Sequence, residues 1–548
     1  MGRGGGGYTV AAERAAVPGG RRVDGWTGAQ GMGDRAGGWT DGWTDGYVGG
    51  IDYIRAFYRD WSPALLSFAL TLRGWRPPDA LRDGRFTMAE LGCGHGLTSA
   101  VLAGANPQAR FEAMDFNPAH IAGVRRLAGD GGLTNALFLE DSFAEHARRD
   151  GPPLDVAALH GVWSWVSAEN RAILVDLLRR RLAPGGIAFV SYNALPGTLA
   201  HMPLRRLLVE RCAEESGPLP ERIERAVTFA ARLAALGGGW FAGVEGVVER
   251  IDSLRGKSAN YIAHEYLNRD WTAFYHADVV RELAAAKLEF AGAAVPMEQL
   301  DDLTLSPAAQ ALAAEAGDPA QAETLRDILT NRSFRRDLFI KGGERLSAAE
   351  RRQALRASRF ALLVPADDLP ESASTPVGRL PFPRAVHGPL AEALAEGPQS
   401  LGALLARTAL AAQGDDAVVR ALVLLTSLGL VAPALAEDAT GDRQAQADRF
   451  NAAVLERHRF DDAPGHLAAP LLGSGVAVSR IEALFLLAAR QGEDPAERAW
   501  THLSADGARL GRDGHYCESA EENLAELRRR HASFTARRLP VLTQLGVR

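Results

Sequence analysis

Short apolar runs alternate with longer amphipathic segments through the first part of the chain. Five of these runs are long enough to form one buried strand each. They lie at residues 86–91, 111–114, 137–140, 154–159 and 187–192. Because segments with apolar residues at helical spacing separate the runs, the pattern favours an α/β fold with a parallel sheet. Two later runs, 289–295 and 336–341, are predicted to be the sixth and seventh strands, which close the sheet.

Two segments of different composition precede the first strand. Residues 1–48 are glycine-rich, contain the near-repeat GWTDGWTDGY and lack periodic apolar positions. Such low complexity predicts disorder, and we expect Met32, where more varied sequence begins, to be the true translation start. From 52 to 73, aromatic and apolar residues recur at helical spacing, so a helix is predicted there.

Changes of pattern divide the remainder into four parts. We predict a core at 49–200, a helical insertion at 201–275, the closing strands at 276–345 and a mainly α C-terminal domain at 346–548. In the last part, apolar helices followed by a turn and strand at 429–434 resemble a winged-helix module. Its candidate recognition helix, 417–428, is apolar and not notably basic, so contact with protein is favoured over contact with DNA.

Composition narrows the function classes only moderately. The 548 residues suffice for two to four domains, and 47% hydrophobic with 23% charged residues is typical of globular proteins. A net charge of −6 gives no overall footprint for nucleic acid. The three widely spaced cysteines predict neither a disulfide framework nor a metal cluster, which fits a reducing cytoplasm. Polar residues and a proline interrupt the longest apolar run, 421–436, so no membrane span is expected.

The first predicted strand runs into a glycine-rich turn that opens a helix. The turn reads GCGHG at 92–96, and its missing side chains let the backbone approach a ligand. A dinucleotide-binding turn would require its third glycine at the position of Leu97. Instead an acidic residue, Glu90, precedes the glycines, and a carboxylate suits a positively charged ligand better than a phosphate. The alternative is a tight turn in an α/β protein without this ligand.

Polar residues follow several predicted strands at their carboxyl ends. Asp115, Asp141, His160 and the pair Tyr192-Asn193 occupy these positions. Ligands of open parallel sheets bind outside the carboxyl ends of the strands. A carboxylate at the tip of the second strand, Asp115, suits the two hydroxyls of a ribose. We therefore expect these side chains and the glycine turn to form one site.

The acidic residue followed by spaced glycines resembles motif I of the class I S-adenosylmethionine-dependent methyltransferases. Longer stretches are similar to bacterial members that carry a methyltransferase regulatory domain, among them lysine methyltransferases acting on outer-membrane proteins. The stretches that carry this resemblance are AELGCGHG (89–96), DFNPAHI (115–121), EDSFAE (140–145), LHGVWSWVS (159–167), VSYNALPG (190–197), YIAHEYLN (261–268), SGVAVSRIEALFLLA (474–488) and RRLPVL (537–542).

The resemblance implies a Rossmann-like methyltransferase sheet and S-adenosylmethionine as cofactor. The residues expected to bind this cofactor are Glu90, Gly92, Cys93, Gly94, Gly96, Asp115, Phe116, Asn117, Asp141, Ser142, Phe143 and His160. Among them, the resemblance implies that Asp141 hydrogen-bonds the adenine amine while its neighbours line the ring. In this class a helix before the first strand often covers the cofactor, so Tyr53 and Tyr58 are candidate lid residues.

The implied reaction is in-line methyl transfer, for which the protein mainly positions and desolvates the reactants. A lysine acceptor must be neutral, and its deprotonation costs about 4–5 kcal/mol at neutral pH. A dry, aromatic entrance disfavours the ammonium. His160, Tyr192 and Asn193 are the candidate catalytic residues, and Trp163 is expected beside them at this entrance. His160 would either relay a proton or hydrogen-bond the cofactor, and we favour the second role. No metal site is expected.

Three functions remain open from the sequence. The expected acceptor is a protein, such as a bacterial surface protein, or a small molecule; neither nucleic acid nor a membrane is expected as partner. A small-molecule methyltransferase would have a closed pocket, with the later domains forming a lid or a homodimer interface. A noncatalytic protein would use the cofactor as a signal. The segment 260–274 is either a packing helix or a carrier of Tyr261, His264 and Glu265 at the active-site mouth.

Overall fold

The structure is a computed structural model that describes residues 46–48, 51, 53–436, 441–512 and 514–548. The predicted disorder of 1–48 and the predicted start at Met32 therefore concern residues that, except for 46–48, lie outside the described part. No helix among the described residues combines the length and the apolar character that a bilayer crossing requires. The chain folds into two compact units. The core unit comprises 53–199, 270–483 and 533–548, and the helical unit comprises 46–51, 200–269 and 484–532.

A seven-stranded sheet forms the centre of the core unit. Its strands are β1 (Thr87–Leu91), β2 (Arg110–Asp115), β3 (Ala136–Glu140), β4 (Leu154–Leu159), β5 (Leu182–Asn193), β6 (Leu288–Ala293) and β7 (Phe334–Lys341). The strand order is β3-β2-β1-β4-β5-β7-β6. The first five strands are parallel, whereas β7 runs antiparallel to both of its neighbours, β5 and β6. The predicted parallel sheet and its two closing strands are confirmed.

Two strands begin more than one residue before their predicted start. β5 begins at Leu182, five residues before the predicted start, because the segment Pro184-Gly185-Gly186 continues the strand instead of ending the preceding helix. The pairing of β5 with β4 shifts register between Leu154 and Val156 to accommodate it. β7 begins at Phe334, two residues earlier than predicted, because its first residues pair with the end of β5.

Six helices precede residue 200 in the core unit. They are α1 (Pro63–Leu72), α2 (Asp79–Asp83), α3 (Leu97–Ala105), α4 (Pro118–Asp130), α5 (Phe143–Ala147) and α6 (Ala168–Arg181). The helix predicted from 52 begins only at Pro63, whose fixed φ and missing N–H suit the first turn of a helix. A short 3-10 turn, Arg59–Trp61, precedes it, and the chain from 53 to 58 is not helical. Asp52 lies outside the described residues.

The helical unit begins with five helices that correspond to the predicted insertion. They are α7 (Met202–Glu214), α8 (Leu219–Ala234), α9 (Trp240–Gly243), α10 (Val247–Arg255) and α11 (Ala259–Tyr266). Helix α11 buries Ile262 and Tyr266 among the apolar residues of this unit. Arg250 donates a hydrogen bond to the Tyr266 hydroxyl at 2.8 Å. These contacts agree with the packing interpretation of 260–274, and the proposed role of Tyr261, His264 and Glu265 at a mouth stays a prediction.

The chain then returns to the core unit and continues beyond the sheet. The helices and strands up to 436 are α12 (His276–Ala284), α13 (Asp301–Thr304), α14 (Pro307–Ala314), α15 (Pro319–Thr330), α16 (Ala348–Ala357), β8 (Arg359–Leu362), β9 (Ser372–Thr375), β10 (Gly378–Pro381), α17 (Arg384–Ala395), β11 (Gln399–Ser400), α18 (Leu401–Ala406), α19 (Thr408–Ala411), α20 (Asp415–Ser427) and β12 (Val431–Ala434). The candidate recognition helix is α20, and its segment 421–426 is buried in an apolar cluster of the core unit. The identity of this region as a winged helix stays a prediction.

The remaining elements include short hairpins that the mainly α prediction did not anticipate. They are α21 (Gly441–Arg457), β13 (His466–Ala469), β14 (Ser474–Ala477), α22 (Arg480–Gln491), α23 (Pro495–Ala505), β15 (Gly511–Arg512), β16 (His515–Tyr516), α24 (Ala520–Ser533) and α25 (Leu539–Gln544). Helix α21 packs on α3, the helix that follows the glycine turn. The helical unit takes up the chain again at residue 484, inside the predicted C-terminal domain 346–548. The two compact units therefore divide the chain at other points than the predicted domains, and the domain boundaries stay a prediction.

Candidate cofactor and acceptor site

The bend between β1 and α3 is a position that only glycine fits well. Gly92, Gly94 and Gly96 have φ values of +79°, +53° and +61°, in the left-handed region that side chains disfavour. A Cβ on any of them would lie within 3.1 Å of a neighbouring side chain. At Gly94 this neighbour is the ring of Tyr53, which therefore lies directly against the bend. The contact is consistent with the predicted lid role of Tyr53.

Asp115 ties the glycine bend to the end of β2. Its carboxylate accepts the N–H of Gly94 at 2.8 Å with one oxygen and the N–H of Asn117 at 2.9 Å with the other. The side chain of Asn117 in turn caps α4 by accepting the N–H of Ala119. An ionised carboxylate has about four acceptor positions. Asp115 therefore retains acceptor capacity for ribose hydroxyls, and Phe116, partly exposed, follows it directly.

Glu90, on β1 beneath the bend, is buried in a different way. The Ser99 hydroxyl donates a hydrogen bond to its carboxylate. Burial raises the pKa of Glu90 to about 7, and the negative charge of Asp115 adds to the rise against the opposing effect of Ser99. A cation placed near Glu90 would favour the ionised form. Burial likewise raises the pKa of the Cys93 thiol well above its usual value, which disfavours the nucleophilic thiolate.

Asp141 lies directly after β3. Its carboxylate already pairs with Arg149, a residue that the sequence analysis did not identify. Arg149 donates to both carboxylate oxygens of Asp141, at 2.5 and 2.7 Å. Next to it, Ser142 and Glu145 form a reciprocal cap at the start of α5. Phe143 lies beside the bend, with ring atom Cζ 3.7 Å from the Cβ position of Gly92. Any bond from Asp141 to an adenine amine would share its carboxylate with Arg149.

His160, directly after β4, lies among aromatic rings. Its ring centroid is 3.9 Å from that of Tyr58 and 5.2 Å from that of Trp61. Phe189 and Phe334 follow at 6.1 and 6.3 Å, the second in an edge-on orientation. Of these rings, only Trp61 and Phe189 are fully buried. The remaining three rings, those of Tyr58, His160 and Phe334, are partly exposed and form an aromatic surface at the carboxyl end of β4, which we call the opening.

The imidazole of His160 is neutral and fixed in orientation. Burial lowers its pKa to about 4, with Asp60 opposing and Arg336 adding to the decrease. The Ser191 hydroxyl lies 3.2 Å from Nδ1 and itself accepts the N–H of Gly161 at 2.8 Å. In the tautomer in which Ser191 donates its own proton to Nδ1, the imidazole proton is on Nε2. A neutral imidazole with Nε2–H donates hydrogen bonds at that atom and does not accept a proton there.

Asp60 and Arg336 form an ion pair behind His160 that sequence reasoning missed. Their side chains approach to 3.2 Å, and both are largely buried. Asp60 lies in the 3-10 turn before α1, in a stretch that the sequence assigned to a plain helix. Arg336 lies on β7, where it pairs in register with Ser191 of β5. Strand alternation was the one sequence signal that could have pointed to Arg336, because it places Arg336 and Phe334 on the same face of β7.

Asn193 lies at the same opening, at the end of β5. Its backbone N–H donates to the Ser164 hydroxyl at 2.8 Å, which holds the loop after β4 against the strand. Asn193 is directly opposite Phe334 in the antiparallel pair, and both residues are partly exposed. Residues directly opposite have Cβ atoms about 4.5–5.5 Å apart. His160, Asn193, Phe334 and Tyr58 thus belong to one opening.

Tyr192 and Trp163 are not brought to this opening. The Tyr192 hydroxyl donates to Asp337 at 2.6 Å and lies 3.0 Å from Nδ1 of His276, in the fully buried interior. Successive strand residues point to opposite faces, so Tyr192 faces away from its neighbours Ser191 and Asn193. Trp163 is completely buried in an apolar cluster. The structure therefore favours a stabilising role for both residues over the predicted roles in catalysis and at the entrance.

Two family models match the chain in the regions just described. One, described as a methyltransferase domain, matches residues 89–188, from β1 into β5. The other, described as a predicted methyltransferase regulatory domain, matches residues 258–341, from α11 to the end of β7. An uncharacterized protein of Synechocystis sp. is 36% identical over 497 residues, which cover 91% of this chain and 98% of that protein. Trans-aconitate 2-methyltransferase of Methylobacterium nodulans is 30% identical over 148 residues, 48% of its own length.

Solved structures of similar fold extend the match to most of the chain. The structure of PKMT2 from Rickettsia typhi superposes with a TM-score of 0.63, covering 89% of this chain and 99% of that one, at 17% identity. The same protein in complex with AdoHcy (S-adenosylhomocysteine) gives a TM-score of 0.65. Since motif I, the sheet order and both family models agree, the chain belongs to the class I S-adenosylmethionine-dependent methyltransferases that carry a methyltransferase regulatory domain.

Proposed function

We propose that this protein transfers methyl groups from S-adenosylmethionine to lysine side chains of a protein substrate. The observation that carries the proposal is the opening, the partly exposed aromatic surface at the end of β4. Tyr58, His160 and Phe334 supply its rings, and Asn193 supplies an amide. An opening on the surface admits the side chain of a large acceptor. The sequence resemblance to lysine methyltransferases supports the same assignment.

The residues around the bend fit the cofactor on the donor side. Gly92, Gly94 and Gly96 give the bend a backbone without side chains, in a place where a Cβ would collide with neighbouring side chains, and Asp115 offers acceptors for the ribose. Glu90 provides a carboxylate whose ionised form a nearby cation would favour. We assign these residues, with Asp141 and Phe143 on the adenine side, to cofactor binding. When bound, S-adenosylmethionine supplies an electrophilic methyl group on a positively charged sulfur.

On the acceptor side, the surroundings of His160 favour a neutral amine. Aromatic rings and a neutral imidazole carry no net charge, and the Asp60 carboxylate is already paired with Arg336, so desolvation lowers the pKa of an entering lysine. Each unit of this decrease reduces the cost of deprotonation by about 1.4 kcal/mol. The amide oxygen of Asn193 is suited to accept an N–H of the neutral amine and so to orient its lone pair. His160 is better suited to donate a hydrogen bond from Nε2 than to remove the proton.

A small carboxylate is the second candidate acceptor. Arg336 lies behind the opening, its side chain is 22% exposed, and guanidinium groups bind carboxylates well. Trans-aconitate, the acceptor named for one relative of this chain, is such a small carboxylate. Asp60, however, already pairs with Arg336 and lowers its capacity for a second anion. The lysine acceptor therefore fits the site better.

One labelling experiment separates the candidates. Calorimetric titration with S-adenosylmethionine comes first, and methyl-labelled cofactor is then offered with three acceptors: purified outer-membrane proteins of a Gram-negative bacterium, poly-L-lysine, and trans-aconitate. We expect label in one or both lysine-containing acceptors, recovered as methyl-lysine after hydrolysis. Label on trans-aconitate alone would establish the small-molecule function. Binding of the cofactor without transfer to any acceptor would favour a noncatalytic role.

A further inference from the structure

Phe334 combines an unusual position with an unusual exposure. It begins β7, and 36% of its surface remains accessible, although the six residues from 335 to 340 are mostly buried. A single exposed aromatic residue on a protein surface needs no explanation. This one lies edge-on to His160, with ring centroids 6.3 Å apart, and directly opposite Asn193 across the β5–β7 pair. Its exposed surface therefore belongs to the acceptor opening.

The neighbours of Phe334 hold it in this place without covering it. Arg335 anchors β7 from the opposite face through bonds of 2.8 Å to Asp337, 2.7 Å to Asp327 and 2.9 Å to Glu323. Just before the strand, the Thr198 hydroxyl donates to the carbonyl of Ser333 at 2.8 Å. The backbone is thus held in place directly before Phe334, at Ser333, and directly after it, at Arg335. Pre-organised aromatic surface of this kind binds without the entropy cost of ordering a loop.

The chemistry of the surface indicates what it would contact. A lysine side chain has a four-carbon stem that packs on apolar surface while its amine reaches a polar group. Rings contact such a stem over their faces, and they also attract a methylated ammonium product. At the opening, the ring of Phe334 lies edge-on to the imidazole of His160, and Phe334 is directly opposite Asn193 on β5. Stem and amine would therefore meet suitable partners together.

We propose that Phe334 is a specificity-determining residue, which packs against the alkyl stem of the acceptor lysine and directs its amine toward Asn193. The inference rests on the proposed lysine methyltransferase function and adds to it a residue outside the cofactor site. Because Phe334 contacts the acceptor and not the cofactor, its loss affects recognition of the acceptor selectively.

The test compares Phe334→Ala with Phe334→Tyr, which keeps the ring, and with Leu312→Ala. Leu312 is a matched control because it is also an exposed apolar residue, 51% accessible, on α14 of the core unit. Each protein is titrated with S-adenosylmethionine, and methyl transfer is measured over a concentration range of whichever lysine-containing acceptor the wild type labels faster. For Phe334→Ala we expect kcat/KM to fall by about tenfold, mostly through KM, with unchanged cofactor affinity.

Phe334→Tyr is expected to retain most of the wild-type kcat/KM, and Leu312→Ala to match the wild type. A wild-type KM in Phe334→Ala would overturn the inference while leaving the lysine function intact. So would an equal loss in Phe334→Ala and Phe334→Tyr, or a loss of cofactor binding together with a lower melting temperature, since both indicate a structural role. Failure of the wild type to label either lysine-containing acceptor would instead refute the proposed function, and this inference with it.

Discussion

At the scale of single residues, the two acids beside the glycine bend differ because their hydrogen-bond partners differ. Asp115 receives two backbone N–H groups, one on each carboxylate oxygen. Glu90 receives one hydroxyl and is otherwise buried, so its pKa rises to about 7. One acid is thus a fixed acceptor, whereas the charge of the other depends on what binds next to it.

Removing the fixed acceptor should weaken cofactor binding. We expect Asp115→Ala to lower the affinity for S-adenosylmethionine by about 1.5–3 kcal/mol, the usual contribution of hydrogen bonds to a charged group. Calorimetric titration measures the change. Asp176→Ala is the control, because Asp176 is an exposed acid on α6 that pairs with Arg179 and Arg180 of the same helix. Equal affinity of wild type and Asp115→Ala would refute the assignment to the ribose.

The second acid makes cofactor affinity depend on pH. A cationic ligand favours ionised Glu90, so binding releases a proton wherever the free protein still holds one. Affinity for S-adenosylmethionine is expected to rise with pH through about 7, by up to about tenfold for each unit by which the ligand lowers the pKa. Titrations at about pH 6 and about pH 8 measure the slope. Glu90→Gln should remove it, and an undiminished slope in this variant would assign the proton elsewhere.

Glu90 also makes the stability of the fold depend on pH. Stability falls as pH rises, whereas cofactor affinity increases. Folding raises the pKa of Glu90 from 4.5 to about 7. Between these values the folded chain keeps a proton that the unfolded chain has lost, so Glu90 lowers stability progressively as pH rises across this window. Glu90→Gln, which cannot ionise, should therefore gain stability relative to the wild type as pH rises from about 4.5 to about 7, in chemical denaturation of the cofactor-free protein.

At the scale of elements, the bend between β1 and α3 depends on backbone geometry that a side chain would disturb. Gly94 combines a φ of +53° with a Tyr53 ring 3.1 Å from its Cβ position. We expect Gly94→Val to abolish detectable binding of S-adenosylmethionine, because the branched side chain is strained at this φ and displaces the ring.

A matched glycine distinguishes this effect from general instability. Gly123 lies on α4 with nothing within 4 Å of its Cβ position, so Gly123→Ala should bind the cofactor as the wild type does. Thermal unfolding of each variant shows whether the fold persists. Wild-type cofactor affinity in folded Gly94→Val would contradict the placement of the ligand at the bend.

At the scale of the whole molecule, a buried charge network joins the parallel part of the sheet to its antiparallel edge. Asp337 on β7 accepts from Tyr192 of β5 and Arg335 of β7, and lies 3.1 Å from Nδ1 of His276 on α12. Burial alone would raise the pKa of Asp337, but Arg335 and His276 hold it well below its usual range. Breaking a buried pair leaves an uncompensated charge and is strongly destabilising.

The network provides a direct comparison of stability with catalysis. Tyr192→Phe removes one donor to a buried carboxylate and should lower the free energy of unfolding by about 1.5–3 kcal/mol. Because the hydroxyl is fully buried away from Asn193, kcat should change by less than about threefold. Denaturant unfolding and labelled-methyl transfer measure the two quantities. A large loss of kcat with unchanged stability would restore the catalytic role that the sequence predicted for Tyr192.

Local sequence patterns determined much of this molecule. The apolar runs specified β1 to β5 and both closing strands, since a buried strand needs little more than its own apolar side chains. The glycine turn and the acids at the ends of β2 and β3 could be placed at one edge because the carboxyl ends of parallel strands share it, whereas their roles toward the cofactor stay predictions. Pro63, in contrast, was read as part of a longer helix although it marks the beginning of α1.

Tertiary structure alone decided which polar and aromatic residues share the acceptor opening. Tyr192 and Asn193 are neighbours in sequence, yet strand alternation sends one into the charge network and the other to the opening. Tyr58, His160 and Phe334 meet there although more than a hundred residues separate each from the next. The periodicity of the sequence cannot predict these contacts, because contacts between distant segments depend on how the strands pair and on the register between β7 and β5.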